Sequence, residues 1–533
     1  MACRILSNII VILAFWPTVE VSAAPPRVAE KFSAASDSTP NRYIVVLKQA
    51  ASGPNSAVTR QARRLINLHG GIVMRSYEGP FTGFAIDASE DQARRLSQLD
   101  EVAYVVADGQ ASAEAIQADS PWGLDRVDQR ALPLSGTYQY TNNGKGVNVY
   151  VIDSGIYAGH PQFSGRVRLA FDAIGDDYGA EDCFGHGTYV AGIIGSTNLG
   201  VAKGVTLHSV RVLNCDGDAL WSDIIAGIDW VTRNAKRPAV VNMSLGGEFN
   251  AAVDDAVRRA AAANITFVVS AGNSGDNACL YSPSRTFSAV TVAATMANDS
   301  RADFSNYGSC VDIFAPGADI PSLSAYDPDE TITTSGTSAA APHVTGIAAL
   351  YLERFPQASR KSVANAIIGT ASFGRIIDAG RNSPNQLLNT QKLGGTRTAL
   401  FRYSNIKSSS HFYSRDWNEL GGGRNNYRYD GVAGYVSVRP LPNTTPLYRY
   451  FNAKTGQYRV TVQSGDPYVT ETWTNQGIIG YVPTAVSPET TDVYRYRNTS
   501  DGEVFLTSSW NELRGGTGPW AYEGVECLIW KRL

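Results

Sequence analysis

The sequence predicts an α/β core on a doubly wound parallel sheet, with a small α+β unit before it and an all-β pseudo-three-fold repeat domain after it. Three observations carry this expectation. Between residues 121 and 392, continuous β-branched runs alternate with helical patterns, as strands covered on both faces must. Residues 42 to 108 alternate shorter strand and helix patterns. From residue 395 a Tyr/Arg-rich hexamer recurs as LFRYSN from Leu400, LYRYFN from Leu447 and VYRYRN from Val493.

Composition limits the function classes. A chain of 533 residues implies several domains. Charged residues make up 18%, against roughly 25% in an average globular chain. Lys+Arg 46 against Asp+Glu 49 leaves a formal charge of −3, so no basic field points to nucleic acid. The single long apolar run is at the N-terminus, which excludes a polytopic membrane protein.

Taken in order, residues 1–24 read as a signal peptide: Arg4, an apolar stretch from Ile9 to Trp16, then the small-residue site Val21-Ser22-Ala23. The apolar stretch is too short to span a bilayer, so a secreted, extracellular protein without a membrane span is expected. Cleavage leaves Cys183, Cys215, Cys279, Cys310 and Cys527, of which four can pair; Cys527, in a different region, is the simplest one left over. Residues 25–41, rich in Pro, Ala and Ser, read as a linker. Residues 42–118 carry strands at Tyr43–Leu47, Phe81–Ile86 and Val102–Val106, helices at Ala57–Leu68 and Ser89–Leu99, and an exposed joint over Gln110–Ser120.

Residues 119–392 hold the predicted parallel sheet. Val147–Ile152 ends on Asp153, further strands fall at Leu207–Leu213, Ala239–Leu245 and Thr266–Ser270, and helices at Thr188–Gly195, Leu220–Asn234 and Ala251–Asn264. Sites in such folds lie at the carboxyl ends of the strands. Residues 395–533 repeat with a period of about 46 residues. Each copy carries a Trp (Trp417, Trp473, Trp510) and a polar-Gly-aliphatic step (Asp430-Gly431-Val432, Gln476-Gly477-Ile478, Glu523-Gly524-Val525). A closed trefoil-like or propeller-like sheet is expected. The aromatics serve either as the core of this module or as stacking surfaces for a glycan or surface ligand.

Three segments carry chemistry. VIDSGI puts Asp153 at the end of a buried strand, GHGTYVAG puts His186 between glycines ahead of an apolar helix, and SGTSAAAPHVTGIAAL puts Ser338 at the start of a long buried helix. Singly, each is an ordinary cap or loop residue. Together they supply a nucleophile, a base to take its proton and a carboxylate to fix the base's tautomer. Their order, Asp, His, Ser, differs from the α/β-hydrolase order. A helix N-terminus under Ser338 offers N–H groups where an oxyanion would form.

These segments resemble the catalytic motifs of the subtilisin-like serine proteases, and the region from Pro121-Trp122-Gly123-Leu124-Asp125 to about Leu388 is similar to the proteinase K branch. NMSLGG from Asn242, SAGNSGDNACLYSPS from Ser270 and DFSNYGSCVDIFAPG from Asp303 extend the likeness. The resemblance implies that Asp153 orients, that His186 is general base and then acid, that Ser338 is the nucleophile and that Asn273 donates to the oxyanion. It implies that Ser244-Leu245-Gly246 is the edge that pairs with an extended substrate, with Gly217-Asp218-Ala219 opposite, and that Ala271 and Gly272 line an open apolar primary pocket of broad specificity. Asp218 either favours a basic substrate residue or is a solvated loop Asp. Ala339 stands where the family usually has Met, a change that could alter the pocket wall.

The resemblance further implies disulfides Cys183–Cys215 and Cys279–Cys310, and structural Ca2+ held by the carbonyls of Phe287 and Ala289 with Asp312, though Phe287 replaces the usual Pro. Partial hints of further calcium sites fall at Asp125, Asp128 and Gln129 and at Asp172 and Asp177. No organic cofactor is implied. RYIVVL from Arg42 and AYVVADG from Ala103 resemble the subtilisin propeptide, which implies an intramolecular chaperone and inhibitor removed by self-cleavage in the Gln110–Ser120 joint. The expected protein is therefore a secreted serine endopeptidase acting on protein and peptide substrates and made as a self-processing proenzyme. A glycan-binding protein on a protease scaffold and an esterase using the same triad are the competing classes.

Overall fold

The computed structural model of the chain describes residues 32–33, 38–48, 57–78, 82–109, 115–408, 410–441, 443–464, 466 and 469–533. The expected signal peptide and most of the expected linker lie outside these residues, as do residues 110–114 of the expected joint. Two compact units are formed, Met1–Gln110 and Ala111–Leu533.

The first unit is a five-stranded sheet in the spatial order Phe32–Ser33, Val102–Gly109, Ser38–Leu47, Thr82–Asp87, Ile72–Glu78, with helices Ala57–His69 and Glu90–Ser97. Val45, Leu65, Phe84, Ile86, Leu96 and Val105 form its core. Ser89 and Gln92 cap the second helix reciprocally. Three strands differ from expectation, the first being Phe32–Ser33, which pairs in parallel with Val105 and Val106 inside the segment that reads as linker. The strand at Ser38–Leu47 starts inside the segment that reads as linker, because backbone pairing of Ser38 with Gly109 needs no apolar side chain. Ile72–Glu78 is a strand the sequence does not announce: it lies at a sheet edge with mixed exposure, so it carries no clean alternation.

In the second unit we number the main parallel strands β1 (Asn148–Asp153), β2 (Val167–Asp172), β3 (Thr206–Arg211), β4 (Ala239–Met243), β5 (Thr266–Ser270), β6 (Val290–Thr295) and β7 (Ile313–Pro316). Their spatial order is β7-β6-β5-β4-β1-β3-β2, all parallel, continued past β7 by two short strands at Gln386–Leu387 and Ser372–Phe373. The longer helices are α1 (His186–Gly195), α2 (Trp221–Asn234), α3 (Ala251–Ala262), α4 (Thr337–Arg354) and α5 (Arg360–Gly369). The period-two geometry of a strand divides β1 between two cores. Val149 and Val151 join the cluster under α1 and α4, whereas Tyr150 and Ile152 join the cluster under α2 and α3. The strand order reverses between β1 and β4, and the crevice at that switch point is where an open α/β sheet presents a site.

Part of the expected joint is itself a strand: Ala115–Ala118 pairs with Thr137–Tyr140. Its residues Ala-Ile-Gln-Ala are mostly exposed and show no burial alternation, so the pairing, made by the backbone, leaves no periodic signal.

The C-terminal module consists of three antiparallel three-stranded units: β8 (Arg397–Asn405), β9 (His411–Ser414) and β10 (Tyr427–Ser437); β11 (Thr444–Asn452), β12 (Gln457–Thr461) and β13 (Trp473–Pro483); β14 (Thr490–Asn498), β15 (Val504–Thr507) and β16 (Trp520–Trp530), each with its first strand in the middle. The three units are joined into one nine-stranded sheet through their third strands, Ser437 opposite Tyr481 and Tyr435 opposite Trp530. Equivalent residues from the three copies fill the shared core: Leu400, Leu447 and Val493; Tyr413, Val460 and Leu506; Val436, Val482 and Ile529. The Arg of each hexamer reaches a carboxylate of another copy. Arg402 is bidentate on Glu512 at 2.9 and 3.0 Å, Arg449 on Glu419 at 2.7 and 2.9 Å, and Arg495 contacts Asp466 at 3.3 Å. This accounts for the Arg that recurs in all three hexamers.

The structure also corrects the pairing of tryptophans. Trp417 and Trp510 are equivalent, each opening a short Trp-Asn-Glu turn. Trp473 instead matches Trp520 and Tyr427, all facing the last Asn of their first strand. Tyr403, Tyr496 and Phe401 are fully buried, so these hexamer aromatics are core rather than a stacking surface for sugars.

Candidate active site

Asp153 ends β1 with its side chain fully buried, and its Oδ1 lies 2.7 Å from His186 Nδ1. Ser154 N–H donates to the same oxygen at 2.8 Å. His186 opens α1 behind Gly185, whose φ of +100° is the left-handed turn that swings the chain into the helix. The helix start is held by Asp182. Its Oδ1 accepts from Gly185 N–H at 2.7 Å and from the Ser154 hydroxyl at 2.8 Å, and its Oδ2 from Thr188 N–H at 2.8 Å and the Thr188 hydroxyl at 2.6 Å. The Ser154 hydroxyl in turn accepts from Gly187 N–H at 2.9 Å, and a Cβ on Gly187 would come within 2.0 Å of the Gly155 carbonyl oxygen. Burial opposes protonation of His186, but the charge and hydrogen bond of Asp153 and the charge of Asp182 outweigh it and raise the imidazole pKa above its ordinary value.

Ser338 is the second residue of α4. A Cβ on Gly336 would lie 2.8 Å from Ser338 Oγ and 3.4 Å from Asn273 Nδ2, so hydroxyl and amide converge on one small space that glycine keeps open. The Asn273 amide is oriented by Thr337: its Oδ1 accepts from Thr337 N–H and from the Thr337 hydroxyl, both at 2.8 Å. The Thr337 hydroxyl accepts from Gly272 N–H at 3.0 Å. With Oδ1 committed to two donors, Nδ2 is the end of the amide turned toward the hydroxyl. Behind this loop the fully buried Asn306 accepts from Ser274 and Asp276 N–H and donates to the Ala271 carbonyl. On the opposite side the Ser244 hydroxyl donates to the Ser338 carbonyl at 2.9 Å and accepts from Asn242 Nδ2 at 3.0 Å. Thr345 anchors Asn242 from within α4 at 2.8 Å.

One cleft of about 320 Å3 is lined by His186, Ser338, Asn273, Ser244, Leu245, Gly246, Ala271 and Gly272 among others. Gly217 and Asp218 are not among the residues lining it; they sit in a turn fastened by Asn214, which accepts from Asp218 N–H at 2.9 Å through its Oδ1. Ala339 is fully buried in the core under α4, so its small side chain changes packing behind the helix and not the cleft wall. The sequence gives no sign of the orienting roles of Thr337, Asp182, Asn306 and Asn242, apart from the place of Thr337 between Gly336 and Ser338.

Cys183 pairs with Cys215 and Cys279 with Cys310, while Cys527 is free. The buried Arg211 donates to Cys183 Sγ at 3.2 Å and to Asp176 at 2.7 Å, tying the first disulfide to the loop after β2.

The expected calcium ligands need correction. Asp312 Oδ2 accepts from Thr291 N–H at 2.8 Å, and Oδ1 accepts from the indole N–H of Trp417 at 2.7 Å. The Arg424 guanidinium lies 3.2 Å from the centroid of the Phe287 ring. Calcium requires six to eight oxygens around it. With N–H donors on both carboxylate oxygens and a guanidinium alongside, Phe287, Ala289 and Asp312 do not fit that ion in this fold. Asp125 and Asp172 likewise turn to N–H groups of their own loops, at Ser135 and Gly136 and at Ile174 and Gly175. Among the described residues no three His, Cys, Asp or Glu side chains gather as a metal-holding group.

Residues 144–403 match the subtilase family, residues 42–113 the peptidase inhibitor I9 family, and residues 395–530 a domain of unknown function, DUF5648. The chain is 48% identical over 372 residues to an extracellular serine proteinase of Thermus sp. (strain Rt41A), covering 67% of this chain and 91% of that protein. It is 42% identical over 385 residues to alkaline serine exoprotease A of Vibrio alginolyticus, covering 70% and 72% respectively. A crystal structure of a cold adapted subtilisin-like serine proteinase superposes with a TM-score of 0.50 at 45% identity, covering 51% of this chain and 99% of that one.

Proposed function

Since the chain belongs to the subtilase family of serine endopeptidases and carries an I9 propeptide, we propose that it is a secreted, self-processing proenzyme whose chemistry is performed by Ser338, His186, Asp153 and Asn273. The observation that carries this reading is the convergence of His186, Ser338 and Asn273 on one cleft, with Asp153 hydrogen-bonded to the far side of the imidazole. Ser338 Oγ attacks the scissile carbonyl while His186 Nε2 takes its proton. Asp153 holds Nδ1–H, which fixes the tautomer that leaves Nε2 free as a base and stabilises the imidazolium that forms. The oxyanion receives Asn273 Nδ2–H and the Ser338 backbone N–H. His186 then protonates the departing amine, and water attacks the acyl-enzyme by the same route in reverse.

Ser244-Leu245-Gly246 on the rim favours an extended peptide substrate, since backbone pairing reads no side chain and leaves choice to the pocket at Ala271 and Gly272. Together these features support broad specificity. The N-terminal unit is the inhibitor, released by cleavage between residues 110 and 120.

The test compares wild type with Ser338→Ala secreted from one host. Wild type loses an N-terminal fragment of about 10 kDa, digests casein and reacts with a fluorophosphonate; Ser338→Ala stays full length and inert, a loss of about 10^6 in kcat. If Ser338→Ala is processed and active like wild type, the assignment of the nucleophile is wrong.

A further inference from the structure

We propose that the C-terminal module is a built-in clamp on the protease fold, its first repeat inserting Trp417 at Asp312, the position where the family resemblance places a calcium ion. The indole is 2% exposed, and its N–H donates to Asp312 Oδ1 at 2.7 Å. Asp312 directly precedes β7, and its other oxygen is held by Thr291 of β6, so the contact reaches into the central sheet.

The turn around Trp417 is fitted to α5. Trp417 N–H donates to Asn365 Oδ1 at 2.9 Å, Asn365 Nδ2 donates to Asp416 at 2.9 Å, and Asn418 Nδ2 donates to the Lys361 carbonyl at 3.3 Å. Gly422 passes so close that a Cβ would lie 2.5 Å from the Ser309 carbonyl oxygen, and one on Gly421 would lie 2.6 Å from the Phe287 ring. Ile368 of α5 shares an apolar cluster with Phe401, Tyr403 and Trp417.

The third repeat is an internal control. It carries the same Trp-Asn-Glu turn, yet Trp510 is 41% exposed. Where the first repeat contacts the protease through Asp416, Gly421 and Arg424, the third has Ser509, Arg514 and Thr517. The scaffold therefore folds with either set, and the first set is the one fitted to a surface. The clamp makes the stability of the protease sheet depend on the module instead of on a cation at Asp312.

The test uses the full chain carrying Ser338→Ala, which prevents self-digestion, with unfolding in guanidinium followed by circular dichroism in EDTA. Trp417→Phe, which keeps an aromatic ring and removes the N–H, is expected to unfold roughly ten-fold faster, the effect of losing a buried hydrogen bond and leaving its acceptor unsatisfied. Trp510→Phe should stay within about two-fold of the parent, as an exposed substitution does. Transplanting the third repeat's residues (Asp416→Ser, Gly421→Arg, Arg424→Thr) should split one calorimetric transition into two. The proposal is overturned if Trp417→Phe unfolds at the parent's rate, if the transplant keeps one unshifted transition, or if calcium chloride slows unfolding of the parent and Asp312→Asn abolishes that slowing.

Discussion

Thr337→Val keeps the shape of the side chain and deletes one hydroxyl. That hydroxyl donates to Asn273 Oδ1 at 2.8 Å and accepts from Gly272 N–H at 3.0 Å. The variant leaves the Asn273 amide held only by Thr337 N–H and strands the Gly272 N–H without its acceptor. A lost neutral hydrogen bond with an unsatisfied partner is worth about 1–3 kcal/mol. If that free energy is felt in the orientation of Nδ2, kcat falls roughly 5- to 150-fold at 1.36 kcal/mol per decade. The ceiling is about 10^2–10^3, the effect known for removing one oxyanion donor in this class of enzyme. KM should change little, because the donor acts on charge that develops only in the transition state. The assay is kcat and KM on a peptide p-nitroanilide for Thr337→Val, Thr337→Ser and the double variant with Asn273→Ala. Serine restores the hydroxyl and should restore most of the rate. In the Asn273→Ala background Thr337→Val should cost almost nothing more, since the two act as one unit. A single variant within two-fold of wild type, or an undiminished effect in the double variant, refutes the reasoning.

Other consequences are equally direct. The raised pKa of His186 puts the acid limb of kcat/KM above the ordinary imidazole value, because the base works only when neutral and activity falls as pH drops through that pKa; Asp182→Asn removes one charge that raises it and should move the limb to lower pH in a pH–rate profile. A double Cys183→Ser, Cys215→Ser variant opens a 32-residue separation and should lose roughly 3–4 kcal/mol in denaturant titration, with equal stability arguing against a bonded pair. Arg495→Ala takes the guanidinium from Glu526, which is 3% exposed, and leaves Asp466 to Arg459, and should destabilise the C-terminal module by about 3–5 kcal/mol, seen as an earlier thermal transition.

The parts of this site that were legible in sequence are those where the chemistry demands a residue type within a short local pattern. Asp153 closes an apolar strand, His186 stands between glycines, and Ser338 opens a helix, so motif and secondary structure coincide at each. The two disulfides were legible through resemblance. The residues that orient these groups were not, because their partners are distant in the chain: Thr337 meets Asn273 across 64 positions, and Thr345 meets Asn242 across 103. A Thr or Asn carries no periodic signal that names its partner.

The repeat module divides along the same line. Its three-fold recurrence and the Arg of each hexamer are local and mark three copies, whereas the burial of the hexamer aromatics and the central place of each first strand are set by tertiary pairing. The sequence by itself thus determined the triad candidates, the parallel sheet and the number of repeats, since each follows from short-range pattern and from which side chains can be buried. Whether Trp417 or Trp510 would be the buried one was decided only by tertiary structure. The two open the same Trp-Asn-Glu turn, and the residues flanking them differ, but what those differences fit became visible only in the packing against α5 and Asp312. The same packing set the Trp417 indole N–H on Asp312 where the resemblance places a cation, so that both carboxylate oxygens face N–H donors.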